Sequence, residues 1–257
     1  MACVFINADG WFVTAAHALD AVMAAQQHAT EMKDYEAAVV AVRANPKLNS
    51  SQRHKQLRQL RPNLKWITHH NMIMSDGAQI VEWRAVREID LAAGRVSPFD
   101  PASIPVYPRF KNPQHIRPGT SLCRLGYPFM PLTCSFEVAN NRFDIQGEQI
   151  AFFPNDGIYT REIIGPSSPL GPFAVRFIET SSPGLKGQSG GPVFDRHGFV
   201  WGIQSQTRHL DLGFTPNLRV STGKEVEVYQ FLNVGWAVHP LTIHEFLTHE
   251  RIEFHTE

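Results

Sequence analysis

Residues 187–194 read GQSGGPVF, with three glycines and a proline around one serine, Ser189. Glycines let the backbone aim its N–H groups at a substrate in conformations that a side chain would forbid. A nucleophilic serine needs such a turn, because N–H groups must stabilise the negative charge that develops on the substrate oxygen. The stretch therefore predicts either a nucleophilic Ser189 or a glycine-rich hairpin turn without a catalytic role.

A serine nucleophile needs a base and an acid that orients the base, and the chain offers a candidate for each. His17 lies in FVTAAHAL, residues 12–19, after a β-branched and aromatic run and among small residues that let another segment approach. Imidazole is the side chain that titrates near neutral pH without strong perturbation. Asp90, between two apolar residues in REIDLAAGRV, residues 87–96, fits a buried acid, although it also fits a turn or a helix cap.

Composition and charge narrow the function classes. The chain has 257 residues, and its 43% hydrophobic and 19% charged content is typical of a folded soluble protein. Lys plus Arg and Asp plus Glu both total 24, so the formal net charge is zero. Nothing in the overall charge attracts nucleic acid or an anionic membrane, and we expect the chain to bind neither.

The cysteines and the first residues bear on the compartment. Cys3, Cys123 and Cys134 are odd in number and lack metal-ligand spacing, which favours a reducing compartment over a disulfide framework or a metal site. The first 20 residues have no basic region, and polar residues interrupt their apolar ones, unlike a signal peptide. No run of about 18 apolar residues is present to span a bilayer. We expect a cytoplasmic protein.

Short apolar and β-branched runs alternate with Gly and Pro along most of the chain, which predicts an all-β sandwich or barrel. From about Leu19 to Arg61 the sequence is rich in Ala and lacks Gly and Pro until Pro46, which predicts an inserted helical hairpin. HPLTIHEFLTHE, residues 239–250, predicts a short closing helix. The Pro-rich residues 97–119 suit an extended linker between two halves.

FVTAAHAL, IDLAAGRV and GQSGGPVFD, in this order, resemble the His, Asp and Ser blocks of the trypsin-like (chymotrypsin-fold) serine peptidases. The likeness is nearer to the bacterial HtrA-type branch and to its stand-alone relatives without a PDZ domain. The order His, Asp, Ser is that of the family, whereas other folds arrange the same three residues differently. LGYPF from Leu125, VWGIQSQ and VGWAVHPLTIHEFL extend the likeness to most of the chain outside the helical insertion.

This resemblance implies an all-β fold of two six-stranded antiparallel barrels, with the active site in the cleft between them. We expect the N-terminal barrel in residues 1–105, interrupted by the helical-hairpin insertion at about 19–65. A linker at 106–118 would join it to the C-terminal barrel at 119–257, which ends in the closing helix. Only 16 residues precede His17, so activation by zymogen cleavage is not expected, and the family's first strand must be dispensed with or supplied by another segment or a partner.

The resemblance also implies roles for the candidate catalytic residues. His17 would act first as general base and then as general acid, Asp90 would orient it, and Ser189 would attack the peptide carbonyl. The backbone N–H groups of Gly187 and Ser189 would form the oxyanion hole. This chemistry needs no metal and no organic cofactor.

Four further residues are implied to contact the substrate or the triad. Ser205 would lie near the buried aspartate, and Gln206 with Thr207 would pair with the substrate backbone. Pro183 stands six positions before the serine, where family members that cut after basic residues keep an acid. Thr207 replaces the glycine of wide-pocket members, which predicts a shallow pocket for small or medium apolar side chains.

The leading interpretation is a cytoplasmic serine endopeptidase that acts on selected intracellular proteins. It would be regulated by a partner, an assembly or an ordering of the oxyanion loop, and would serve as an activator of another protein. The alternative is a catalytically silent trypsin-fold protein that binds extended peptides or acts as an adaptor.

The helical insertion also has two interpretations. It carries a set of basic residues with no acid between Ser50 and Lys65: Arg53, Lys55, Arg58, Arg61 and Lys65. The set is either a solvated helix face or a docking element for a regulatory protein partner.

Overall fold

The structure, a computed structural model, describes residues 2–61, 78–129, 132–137, 142–147, 152–165, 173–214, 217–219, 225–227 and 230–257. The chain forms two compact units. Residues 1–18 and 78–257 form the first unit, and residues 19–77 form the second. All the candidate site residues named above belong to the first unit.

The first unit begins with a four-stranded antiparallel sheet in the order β1-β2-β4-β3. Its strands are β1 (Val4–Phe5), β2 (Trp11–Thr14), β3 (Gln79–Val86) and β4 (Leu91–Ser97). In the turn between β1 and β2, the Asn7 side chain accepts hydrogen bonds from the N–H groups of Asp9 and Trp11. Such an Asx turn fixes the strand that leads directly to His17.

Six further strands of the first unit close into an antiparallel barrel. They pair in the order β6-β9-β10-β15-β12-β11, and β11 pairs again with β6. These strands are β6 (Ser121–Arg124), β9 (Asn155–Ile164), β10 (Arg176–Thr180), β11 (Pro192–Phe194), β12 (Val200–Asp211) and β15 (Phe231–Val238). Closure leaves no unpaired sheet edge around the ring, which is how small barrels avoid edge-to-edge association.

The remaining strands lie outside this ring. The two-residue strand β5 (Arg109–Phe110) pairs in parallel with β12, and the two-residue strand β16 (His255–Thr256) pairs in parallel with β5. Two separate hairpins pair β7 (Leu132–Glu137) with β8 (Arg142–Gly147), and β13 (Asn217–Arg219) with β14 (Glu225–Glu227). The closing helix, α3 (Pro240–His249), begins with Pro at its first position, and the His239 side chain caps it by accepting from Leu241 N–H at 3.1 Å.

One hydrophobic core joins the four-stranded sheet to the barrel. It contains Val4, Val13 and Leu91 from the sheet together with residues from the barrel wall and from α3. The buried members from the barrel and the helix include Phe177, Ile203, Val238, Ile243, Phe246 and Leu247. A second, smaller core of Leu122, Tyr159, Ile178, Val193, Trp201 and Ala237 belongs to the barrel strands. The shared core fixes the segment that carries His17 and Asp90 against the strand that carries Ser205.

Two helices lie in the segment predicted to be helical. α1 (Ala16–Ala44) begins in the first unit, and α2 (Ser50–Gln59) lies wholly in the second. Asn49 and Gln52 form a capping box at the start of α2 by exchanging side-chain to backbone hydrogen bonds of 2.9 and 3.0 Å. Pairing of the two helices as a hairpin stays a prediction, and its predicted last residues, 62–65, lie outside the described residues. Within the described chain, no helix is both long enough and apolar enough to span a membrane.

The chymotrypsin-like fold implied by the sequence is confirmed, with one closed six-stranded barrel and a second sheet. The described part of the N-terminal half forms four strands, so a second closed barrel stays a prediction. The domain boundaries at 105, 106–118 and 119 stay predictions as well.

Candidate active site

His17 and Asp90 meet where β2 ends, α1 begins and the chain enters β4. Asp90 follows a single 3-10 turn and has a left-handed backbone with φ of 52°, a conformation that Asp tolerates better than most residues. Its carboxylate contacts His17 twice, because both oxygens lie 2.9 Å from the imidazole Nδ1 and one accepts the His17 backbone N–H at 3.1 Å. Because Nδ1 faces Asp90, Nε2 is the ring nitrogen on the side away from the carboxylate, where a proton can be exchanged with a substrate or a nucleophile.

Ser205 completes the surroundings of Asp90. Its hydroxyl donates to the second carboxylate oxygen at 2.6 Å. Ser205 lies at an irregularity in the pairing of β12 with β15, where the register shifts between Gln204 and Gln206. The bulge re-aims one side chain of the strand, and here the side chain reaches across to the four-stranded sheet.

The charge on Asp90 is held by these contacts. Burial alone would raise the pKa of the carboxyl, but the hydrogen bonds from His17 and Ser205 outweigh burial and lower its pKa below the ordinary value. The Asp90 side chain is 19% exposed, whereas the His17 side chain is 54% exposed. The acid is thus ionised and screened from water while the imidazole remains open on one side.

Ser189 lies in a tight turn that touches the segment carrying His17. Gly190 has φ of 83°, and a Cβ added there would collide with Thr14 Oγ1 and the Ala2 carbonyl and lie 3.0 Å from Ala15 N. Only glycine fits a left-handed position packed this closely. The Ser189 carbonyl also accepts the Ala2 N–H at 3.2 Å. The serine is thereby fixed beside the last residues of β2.

The turn leaves two amide N–H groups without an acceptor among the residues that the structure describes. The N–H groups of Gln188, Gly190 and Gly191 all donate to backbone carbonyls of the turn or of β12. Those of Gly187 and Ser189 donate to no group in the described part of the chain. Gly187 has φ of 102°, and its carbonyl accepts the Tyr127 N–H at 3.1 Å, which fixes the plane of the peptide. Two free amides on either side of one bonded amide are the arrangement that an oxyanion hole requires.

The three proposed catalytic residues are not all in direct contact. Within the described residues, the Ser189 hydroxyl forms no hydrogen bond with His17. Catalytic hydrogen bonds are often long before a substrate binds. The structure thus brings His17, Asp90 and Ser205 into direct contact, and it brings the Ser189 turn against the same site through backbone packing.

The remaining predicted residues border the serine turn. Pro183 lies in the segment before the serine, and its carbonyl accepts from Asn155 Nδ2 at 2.9 Å. Thr207 donates its hydroxyl to the Gly184 carbonyl, which ties β12 to this segment. From Gln206 onward, one edge of β12 pairs with β15 and the other edge pairs with no described strand. That edge is open for an added strand, as predicted for a substrate backbone.

Two buried residues at this site were missed by sequence reasoning. Gln188, fully buried, accepts the Leu185 N–H at 2.9 Å and donates to the Phe153 carbonyl at 3.3 Å, so its side chain braces the serine turn. Arg124, 2% exposed, donates to the Pro183 carbonyl at 2.7 Å. The alternation of SLCR, residues 121–124, carried the signal for Arg124, because a period of two places it on the same face as buried Leu122.

Comparisons with known proteins place the chain in a family. A family model described as a trypsin-like peptidase domain matches residues 1–203. No curated protein sequence matches the chain.

Among solved structures, the chain is similar to the MamO protease domain from Magnetospirillum magneticum, at 14% identity over 95% of this chain and 86% of that one, with a TM-score of 0.41. It is similar to the Rv3671c protease from M. tuberculosis in its active form, at 16% identity over 70% of this chain and 61% of that one, with a TM-score of 0.37. It is also similar to the HtrA-type protease AlgW with a decapeptide, at 16% identity and a TM-score of 0.43, covering 96% of this chain and 50% of AlgW.

Proposed function

We propose, on the premise that this chain belongs to the family of trypsin-like peptidase domains and is a serine endopeptidase, that Ser189, His17 and Asp90 are its catalytic residues. The observation that carries the assignment is the double contact of Asp90 with His17 Nδ1, at 2.9 Å to each carboxylate oxygen. This contact holds the imidazole in one orientation and selects the tautomer in which Nε2 accepts a proton. A structural Asp–His pair would not need the glycine turn of Ser189 beside it.

The reaction follows from these positions. The Ser189 hydroxyl oxygen attacks the carbonyl carbon of the scissile peptide bond while His17 Nε2 takes the hydroxyl proton. The resulting imidazolium is stabilised by ionised Asp90. His17 then returns the proton to the leaving amine, the C–N bond breaks, and an acyl ester remains on Ser189. A water molecule, deprotonated by His17, hydrolyses the ester and regenerates the serine.

The backbone supplies the other half of the catalysis. The negative oxygen of the tetrahedral intermediate would accept hydrogen bonds from the free N–H groups of Gly187 and Ser189. Removing one such donor typically costs a factor of about 10² to 10³ in rate. The braces on this turn, from Gln188 and from the Tyr127 N–H, would keep the two amides in place without reorganisation during the reaction.

The test is covalent labelling by a fluorophosphonate probe followed by intact-mass spectrometry, with and without cell lysate. We expect one adduct on the wild-type protein and none on Ser189→Ala or His17→Ala. His197→Ala is the matched control, because His197 is exposed and lies in a turn outside the site. An adduct that needs lysate would indicate an activating partner. If the folded wild-type protein takes no adduct under either condition, the catalytic assignment fails and the silent peptide-binding alternative replaces it.

We further propose that the substrates are selected intracellular proteins, that the compartment is the cytoplasm, and that cleavage activates another protein. The support is chemical: the described cysteines Cys3 and Cys123 are both free thiols, as suits a reducing compartment. An unselective protease in such a compartment would degrade its own surroundings. The predicted domains, 1–105, 106–118 and 119–257, are part of the same proposal.

Regulation through the helical insertion is the final part of the proposal. The exposed face of α2 groups Ser51, His54, Lys55 and Arg58 at helical spacing, with no acid on the helix. Such a face suits an acidic surface of a regulatory protein. Residues 20–61 can be replaced by a short Gly-Ser linker and the product assayed for folding, probe labelling and partner capture. A variant that matches the wild type in all three assays would remove the insertion from the mechanism.

A further inference from the structure

Arg124 places a charged guanidinium in the interior of the barrel, directly beside the segment that precedes Ser189. Its Nη1 donates to the carbonyls of Ser182 and Pro183 at 2.9 and 2.7 Å and to the Ser182 hydroxyl at 3.1 Å. Its Nη2 donates to the Thr180 hydroxyl. All these acceptors are neutral, so the hydrogen bonds hold the guanidinium without cancelling its charge.

No described carboxylate neutralises this charge. On the neighbouring strand β9, the exposed Asp156 lies opposite Cys123, whose side chain alternates away from that of Arg124. On the next strand, β10, Glu179 lies next to Thr180 and therefore on the opposite face. Glu179 is already paired with Arg161 at 2.9 Å and accepts the Trp236 indole N–H at 3.1 Å. Burial lowers the pKa of Arg124 to about 10, which still leaves the group protonated at neutral pH. A buried, uncompensated cation is costly and calls for a reason.

The place of this charge relative to a substrate follows from the serine turn. In the proposed complex, the amides of Gly187 and Ser189 hold the scissile carbonyl, and the substrate backbone lies along the open edge of β12. The side chain of the residue before the cleaved bond then points between two segments. One segment is residues 183–187 and the other is residues 205–207, which Thr207 and Gly184 tie together. Pro183 belongs to the first segment, and its carbonyl is bonded to Arg124. The guanidinium thus lies behind the wall of the pocket that receives the P1 side chain, the one before the cleaved bond.

A second positive charge lies at the same segment. Lys186 is exposed and directly precedes Gly187, one of the two residues of the proposed oxyanion hole. The other polar group nearby is Gln204, 2% exposed, whose side chain packs on Gly184 and donates to the Gln206 carbonyl at 3.1 Å. Its Oε1 is buried without a partner. That oxygen favours a hydrogen-bond donor in the substrate, whereas the two cations favour a carboxylate.

We propose that the P1 pocket is cationic and that this peptidase cleaves after glutamate and aspartate. The proposal rests on the proposed function, because it assigns specificity to the same site. It replaces the expectation of a small or medium apolar P1 residue, which rested on Pro183 and Thr207. A full charge acts over a longer distance than the dipole of one amide, so Arg124 and Lys186 outweigh the free oxygen of Gln204.

The first experiment separates failure of the proposal from failure of the enzyme. Active sites are titrated with the fluorophosphonate probe, and the titrated enzyme digests a peptide library whose cleavage sites are read by mass spectrometry. Matched peptides that differ only at P1 then give kcat/KM values for Glu, Gln, Asp, Asn, Leu and Lys. We expect Glu to exceed its isostere Gln by about tenfold or more at pH 7. A labelled enzyme that prefers Gln, Leu or Lys overturns the proposal, whereas an unlabelled one removes the proposed function.

Variants identify the source of the preference. Arg124→Gln removes the charge, and Arg124→Lys keeps it, with folding of both checked by thermal unfolding. A purely structural role for Arg124 would lower kcat/KM for all P1 residues alike. Our proposal instead requires the Glu-to-Gln ratio to fall toward one in Arg124→Gln and to survive in Arg124→Lys. Lys186→Gln, at an exposed position, should lower the ratio by a smaller factor and make it less sensitive to salt. If Arg124→Gln does not fold, the wild-type profile and Lys186→Gln decide the question.

Discussion

Asp90 and Arg124 are two charges withdrawn from water in the same compact unit, and their surroundings treat them in opposite ways. Asp90 has His17 on one side and the Ser205 hydroxyl on the other, so its charge is held and matched. Arg124 has only neutral oxygens around it within the described chain. The paired carboxylate of Asp90 orients the imidazole of His17. The unpaired guanidinium of Arg124 instead makes the electrostatic potential of the adjacent pocket positive. The difference separates the part of the site that would perform the chemistry from the part that would choose the substrate.

The largest effect should come from removing the charge of Asp90, which is paired with His17. Replacing Asp90 by Asn keeps the shape but lets the amide stabilise the wrong imidazole tautomer, and we expect kcat/KM to fall by roughly 10³ to 10⁴. Stopped assays on titrated enzyme measure the loss. Asp195→Asn is no control, because that side chain accepts the Trp201 indole N–H. Asp9→Asn is the better match, since Asp9 is an exposed turn residue. Near-normal activity in Asp90→Asn would contradict the role of the pair.

The next largest effect tests the packing of the serine turn against the end of β2. A methyl group at Gly190 would strike Thr14 Oγ1 and the Ala2 carbonyl in a left-handed backbone, so Gly190→Ala should cost about 3 kcal/mol of unfolding free energy. Gly198 has nearly the same φ, 82°, and nothing within 4 Å of an added Cβ. Gly198→Ala should therefore cost only about 1 kcal/mol. Urea unfolding compares the two. Equal costs would mean that the turn is not packed on the end of β2.

Removing the unmatched charge should have a smaller effect on stability. Arg124→Gln strands the carbonyls of Ser182 and Pro183 but also relieves the burial of a cation. We expect these terms to offset in part and leave a net destabilisation of about 2 kcal/mol. Chemical denaturation of this variant beside Arg124→Lys gives the value. If Arg124→Gln is more stable than the wild type, Arg124 does not serve stability. A role in substrate choice would then have to be visible in the P1 profile.

The smallest effect concerns a third buried group, which is kept neutral. Burial lowers the pKa of His239 from 6.5 to about 4, and the neutral ring caps α3 by accepting the Leu241 N–H at Nδ1. The unfolded chain binds a proton at higher pH than the folded chain, so this contribution to stability is complete above pH 6.5 and is lost as the pH falls toward 4. We expect a loss of about 1 to 2 kcal/mol between pH 7 and pH 5.

Unfolding curves at several pH values, with His239→Asn as the comparison, measure this slope. Asn can cap the helix without titrating, so its curve should be flatter in that range. Identical slopes for the two proteins would place the acid sensitivity elsewhere.

Much of this architecture could be predicted from local sequence, and the reasons are physical. The strand runs, the closing helix and the glycine turn each depend on neighbours a few residues apart. The order of the His, Asp and Ser blocks then gave the fold through resemblance. Ser205 was placed near Asp90 only by resemblance, because the contact joins residues 115 positions apart.

Other features depend on packing that no local pattern reports. Gln188 looks like any loop residue, yet it is fully buried as the brace of the serine turn. Arg124 was overlooked because a basic residue in a strand is ordinarily assigned to the solvent face, although its alternation with Leu122 pointed inward. The number of N-terminal strands and the pairing of the inserted helices depend on long-range contacts, and they stay predictions.

The core shared by the four-stranded sheet and the barrel has a consequence for cooperativity. Because Val4, Val13 and Leu91 are buried in the same cluster as Phe177 and Val238, neither half can lose its packing without exposing the other. The sheet and the barrel should therefore melt in one transition, with equal calorimetric and van't Hoff enthalpies for that unit. A hinge motion between the sheet and the barrel would therefore carry a high free-energy cost. Any switch that silences this site has to work on surface turns, where local opening costs far less than global unfolding.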